Sequence, residues 1–229
     1  MPALAAEKNW DRYVAHAEIV ARTDGFQALR DRILERAEIR PGEVVVDLGA
    51  GTGLLTLPAA EAAEKVWAVD ISAKMCDYLA TKARSAGHEN VESVIASAVS
   101  LPLVTESVDV VVSNYCLHHL PHEEKLTALR ELHRVLRPGG RCVLADMMFT
   151  VGLADPRDRH LIKDKVRAML AKGPAGVWRL VKNAARMAAR RWERPASPQW
   201  WRGALEETGF TGVEVELTEH EGGIIEGRR

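Results

Sequence analysis

Cysteine is scarce: Cys76, Cys116 and Cys142 are the only three in 229 residues. They are odd in number, widely spaced and without a C-x-x-C pair, so neither a disulfide framework nor a structural zinc site is indicated. Long apolar runs are missing too. No window approaches the roughly 18 continuous apolar residues of a spanning helix, and Glu7 and Lys8 precede any apolar run at the N-terminus. The expectation is a cytoplasmic chain in a reducing setting. Aromatic residues are only 5% of the sequence, which, with an acidic body, argues against a nucleic-acid partner.

What is present, 47% hydrophobic and 28% charged residues, has the composition of a single globular domain over 1–229. Its charge is uneven. Asp155 to Arg194 carries twelve Lys or Arg against four Asp or Glu, a balance of +8, which leaves −9 elsewhere for a net −1.

The periodicity alternates between helix and strand. In 26–39, Phe26, Leu29, Ile33 and Ala37 recur at helical spacing before Pro41-Gly42. EVVVDLG is a short β-branched run, read as a buried strand. WAVD, VESVIA, VDVVVSN and RCVLADMMF repeat the pattern, with Ser72 as the cap of a helix carrying Met75, Leu79 and Ala83. EEKLTALRELHRVL puts Leu126, Leu129, His133 and Leu136 on one stripe, stopped by Arg137-Pro138-Gly139-Gly140. Strands separated by helix-length segments imply βαβ units and a doubly wound α/β sheet, with ligands beyond the carboxyl ends of the strands.

The first strand runs into DLGAGTG, Asp47 to Gly53. Glycines there let the backbone turn tightly and approach a ligand. Asp47 would repel a pyrophosphate and would favour a cation. Asp70 follows Gly51 by 19 residues, the place from which a carboxylate accepts bonds from ribose hydroxyls. A ribose combined with positive charge points to S-adenosylmethionine.

DLGAGTG, WAVDIS, SLPLVTESVDVVVSNYCLHHL and LRELHRVLRPGGRCVLADM, in that order, resemble the motifs of the class I S-adenosylmethionine-dependent methyltransferases, nearest to the small-molecule group with the quinone-biosynthesis enzymes. The resemblance covers Glu43 to Met148. It implies a Rossmann-like seven-stranded sheet with an antiparallel C-terminal hairpin, and transfer of a methyl group to a small-molecule acceptor. The competing reading is a cofactor-binding protein without catalysis. Asp47, Gly49, Ala50 and Gly51 would then cradle the methionine part, Asp70 the ribose, and Ile71 would pack on adenine. Members of this family carry an acid where Ser97 stands, so adenine recognition falls either to the Ser97 hydroxyl or to the backbone around Ala98.

After the fourth strand, SNYCLHHL places Asn114, Tyr115, His118 and His119 beside the site. Asn114 would face the cofactor. Adjacent histidines on a helical turn point about 100° apart, so no metal is expected. An imidazole titrating near neutrality suits removal of a proton from the acceptor. His118 is the first candidate base and His119 the second, with Tyr115 as an orienting group; packing histidines with no catalytic role are the alternative.

The chain divides into an N-terminal helical arm over 1–40, a cofactor-binding core over 43–149, a basic helical insertion over 155–195, and a last helix with the hairpin over 198–229. In the arm, Trp10 to Tyr13 would close over the cofactor through Tyr13, or Tyr13 anchors the first helix. In the insertion, Trp178, Val181, Ala185, Ala188 and Trp192 share a stripe opposite Arg179, Lys182, Arg186 and Arg190. A substrate lid, a transient membrane-surface contact over 177–192 and a solvated surface helix all fit that pattern.

Overall fold

The computed structural model describes residues 9–149, 194–218 and 221–229, with 159, 160, 163, 166, 167, 169–171, 173–175, 177 and 178 between them. Most of the insertion and the stripe from Val181 to Trp192 lie outside these residues. Val177 and Trp178 are described and are exposed. Among the described residues no helix is long and apolar enough to cross a membrane.

Seven strands form one sheet: β1 (Val44–Leu48), β2 (Lys65–Asp70), β3 (Val91–Ile95), β4 (Val108–Asn114), β5 (Leu136–Met147), β6 (Thr211–Leu217) and β7 (Gly222–Arg228), in the order β3-β2-β1-β4-β5-β7-β6. β1 to β5 pair in parallel, whereas β7 runs antiparallel to both β5 and β6. The Rossmann-like sheet and its antiparallel C-terminal hairpin are therefore both present.

Alternation along the central strands splits the core in two. Val46, Leu48 and Val111 pack with helices α5 (His122–Val135) and α6 (Pro198–Glu207) on one face. Val45, Val110 and Val112 pack with α2 (Asp24–Ala37) and α3 (Thr56–Ala62) on the other. Covering both faces is why these strands are almost wholly apolar. The first two helices are not a loose arm, since Ile33 and Ala37 of α2 are fully buried in that second cluster. Helix α1 (Val14–Ala21) is tied to α4 (Ala73–Ser85) through Glu18, whose carboxylate accepts from Lys82 Nζ at 2.9 Å.

Ser72 caps α4, its side chain accepting from the Met75 amide at 3.2 Å, and Met75, Leu79 and Ala83 are buried as the spacing requires. Two boundaries differ from the sequence reading. α2 ends at Ala37 because Glu38 takes a left-handed conformation (φ 44°), ahead of Pro41-Gly42. α5 ends at Val135; its buried face is Lys125, Ala128, Leu129, Leu132 and Val135, so of the expected stripe Leu129 is buried in the helix and Leu136 in the strand that follows, while Leu126 and His133 are only half-buried. Leu136 already pairs with Val108 in the sheet, and Arg137 to Gly140 accommodate a register shift in β5 instead of forming a separate turn.

Candidate active site

The carboxyl ends of β1, β2, β3, β4 and β5 share one edge, and the order reverses between β1 and β4. Beyond β1 the glycine turn folds back on β2, with the amides of Gly49 and Ala50 donating to Val69 O at 2.8 and 3.0 Å. Gly49 has φ +72°, and a β-carbon there would stand 2.5 Å from Cys116 Sγ. Only glycine permits both the turn and that approach.

Asp70 stitches two loops together: Oδ2 accepts from Gly51 N and Oδ1 from Ser72 N, each at 2.8 Å. An ionised carboxylate has about four acceptor sites, and with the Ile71 amide also acting on this one capacity for about one further donor remains, such as a ribose hydroxyl. Asp47 is only 2% exposed, and its Oδ2 accepts from the Thr56 hydroxyl at 2.5 Å. Burial, with the charge of Asp70 adding to it, pushes its carboxyl up to about 7. Burial also raises Asp70. The Cys116 thiol is raised first by its own burial and then by the charges of Asp146, Asp70 and Asp47. Three carboxylates thus act on one spot, an arrangement that resists more negative charge and favours a cation.

Asp146, which the sequence reading passed over, is 2% exposed at the end of β5. Its Oδ2 accepts from the amides of Leu117 and His118 at 2.8 and 3.1 Å. Its Oδ1 accepts from Met147 N at 2.6 Å and lies 2.7 Å from His118 Nδ1. Three of these four groups are amide donors, so the carboxyl is ionised and the fourth contact is an N–H donated by Nδ1. That fixes a proton on Nδ1, so the neutral form of the ring carries its lone pair on Nε2. The signal was present in CVLADMMF, where one acid interrupts an otherwise apolar strand.

The two histidines do not diverge as expected. They sit in a 3-10 turn, Leu117–His119, with ring centroids 3.9 Å apart. His119 also packs on Trp10 at 4.6 Å, and Tyr13 lies 5.9 Å from Trp10. Trp10, not Tyr13, reaches the histidine pair. Asp11 fastens the other side of this N-terminal segment, Oδ1 accepting from Ser72 Oγ at 2.6 Å. The segment therefore spans from the loop after β2 to the turn after β4. His122 lies apart, edge-on to Trp200 at 4.6 Å. Tyr115 adopts φ +53° and sets its ring edge-on to His118 at 5.8 Å. Among the described residues no three His, Cys, Asp or Glu converge on a metal position.

Ile71 is 43% exposed, an apolar surface beside Asp70. Ser97 and Ala98 are half-buried; Ser97 bridges to Ser100 across a tight turn, and its hydroxyl lies 3.5 Å from the Val99 amide. That loop is held by α5, where Glu131 accepts from Leu101 N at 2.8 Å and Arg134 donates to Leu101 O and Leu103 O at 3.0 and 2.9 Å. Asn114 Oδ1 is buried without a partner among the described residues. An orphaned acceptor calls for a donor from outside the chain, and a ligand ammonium supplies one.

Residues 45–140 match the family model of a methyltransferase domain. A solved S-adenosylmethionine-dependent methyltransferase from Aquifex aeolicus superposes with a TM-score of 0.66 at 18% identity, covering 94% of this chain and 97% of that one. The fold is that of the class I methyltransferases. An uncharacterised methyltransferase of Anoxybacillus flavithermus is 34% identical over 55% of each chain. A demethylmenaquinone methyltransferase of Corynebacterium efficiens is 35% identical over 51% of this chain and 47% of its own length. This chain spans about half the length of these curated relatives. The edge offers a ligand the carboxylate of Asp70, an apolar surface at Ile71, an orphaned acceptor at Asn114 and a negative interior.

Proposed function

We propose that the protein is an S-adenosylmethionine-dependent methyltransferase acting on a small molecule that loses a proton from a hydroxyl or an acidic carbon. The observation that carries this reading is the His118–Asp146 pair, oriented at the strand edge that holds the glycine turn. When bound, S-adenosylmethionine supplies a methyl group already activated by a positively charged sulfur. Asp70, Ile71, Asn114 and the turn from Gly49 to Gly51 bind and orient it, with Ser97 and Ala98 at the adenine. Trp10 and His119 screen the site from water. His118 Nε2 accepts the proton as the acceptor's new bond to the methyl carbon forms, and Asp146 steadies the resulting imidazolium. Tyr115, edge-on to the His118 ring, orients that ring and the acceptor.

The demethylmenaquinone relative makes a phenol-like quinone precursor a reasonable acceptor class to test first. Purified protein incubated with methyl-labelled S-adenosylmethionine and the small-molecule fraction of a cell extract should place label in that fraction. Cofactor binding without labelled product would overturn the proposal, as would label confined to protein or nucleic acid.

A further inference from the structure

Lys125 is 0% exposed, although a buried ammonium loses its hydration. Its Nζ donates to Leu120 O at 2.5 Å and to Arg194 O at 2.7 Å. Arg194 in turn donates its amide to His118 O at 2.6 Å. The turn that carries His118 is thus gripped on two sides. From the sheet, Asp146 takes the amides of Leu117 and His118. From the helix side, Lys125 and Arg194 take the carbonyls of Leu120 and His118. Apolar residues fill such buried volume at less cost than a charge, so a lysine here has a use that burial alone does not supply.

We propose that Lys125 is a positioning residue for His118. It clamps the segment at Arg194, and through the Arg194 amide it fixes the carbonyl side of the His118 turn and the direction of Nε2. The inference rests on the reading of His118 as the proton acceptor, and deepens it.

The test uses full-length protein labelled with 15N-histidine. Wild type should show His118 held with its proton on Nδ1. Lys125→Met keeps the side-chain length and removes the donors. It should speed amide exchange at Arg194 roughly tenfold and change the 15N signature of His118 from a single Nδ1–H form to a mixture of tautomers. Arg194→Pro deletes the amide that binds His118 O together with the guanidinium, and Arg194→Ala, which keeps the amide, is its control; the proline variant alone should give the same change in His118, which keeps the test available should Lys125→Met fail to fold. Faster exchange at Arg194 with an unchanged His118 would reduce Lys125 to a structural role and overturn the proposal. A His118 signature altered by Arg194→Pro but not by folded Lys125→Met would overturn it as well. Titration with S-adenosylhomocysteine separates the two readings: affinity within about twofold of wild type in both variants leaves the cofactor site intact, whereas no binding in wild type refutes the functional reading and not the clamp.

Discussion

Asp47 and Asp146 are both buried carboxylates, and their surroundings give them opposite characters. Asp146 is surrounded by four donors. Asp47 has only the hydroxyl and amide of Thr56 as donors and a neighbouring acid, Asp70, and ionises near 7 in the folded chain against 3.8 in the ordinary state. Between those values the folded state holds a proton that the unfolded state has released, so stability falls as pH rises through that window. Asp47→Asn should therefore raise the melting temperature of the ligand-free protein at pH 7.5, by roughly 2–4 °C per kcal/mol regained, and lose that advantage near pH 4. A calorimetric scan at both pH values checks it. At His118 the expectation is kinetic. His118→Gln should slow methyl transfer roughly 10²–10⁴-fold with cofactor affinity retained, and Asp146→Asn should follow it in direction because an amide no longer demands the Nδ1 proton. Single-turnover rates with saturating cofactor measure both. Asp70 and the glycine turn were legible in the sequence because spacing and residue type encode them. Asp146 was less so, because its partner His118 lies 28 residues away and the pairing exists only once β4 and β5 align.

At the scale of elements, the N-terminal 3-10 turn (Trp10–Arg12) contacts the edge through Asp11 on Ser72 and Lys74 and through Trp10 on His119, and none of its three residues is buried. Few buried contacts make a segment prone to local opening. Asp11→Ala should leave the melting temperature of the ligand-free protein nearly unchanged and raise the cofactor dissociation rate several-fold, measured by stopped-flow displacement. The aromatic near the start was visible in sequence, but which ring reaches the site was not. Trp10 and Tyr13 are three residues apart, and only the path of the following helix decides between them. Helix α5 shows a related limit. Its stripe was read through Leu126, Leu129, His133 and Leu136, of which Leu129 and Leu136 are buried, but the buried face also holds Lys125, a residue whose charge conceals a core position because its partners are carbonyls from Leu120 and distant Arg194.

For the whole molecule, the order of the first five strands and the helices between them followed from alternating apolar runs, glycine turns and a capping serine, all local signals, and the antiparallel hairpin from the family resemblance. The long-range arrangement did not: insertion of β7 between β5 and β6 and the return of the chain at Arg194 depend on packing. Along the chain, the block from Asp155 to Arg194 carries +8 and the remainder −9, and opposite charges of this kind attract most at low salt. If the stretch closes over the acceptor side, cleavage between Lys172 and Lys182 by a limiting protease should slow when S-adenosylhomocysteine is added without lipid. Unchanged cleavage together with salt-sensitive binding to anionic vesicles would assign the stretch to a membrane surface instead.

The claim beneath all of these is that a carboxylate-rich strand edge binds a cationic nucleoside cofactor. Calorimetric titration with S-adenosylmethionine between pH 6 and 7.5 tests it most directly. Because Asp47 ionises near 7 and a cation favours its charged form, binding should be one-to-one and roughly fivefold to tenfold tighter at pH 7.5 than at pH 6. Proton release should accompany it, and Asp47→Asn should flatten the dependence. Absence of binding across this range, or an affinity in wild type that is indifferent to pH, would contradict the account.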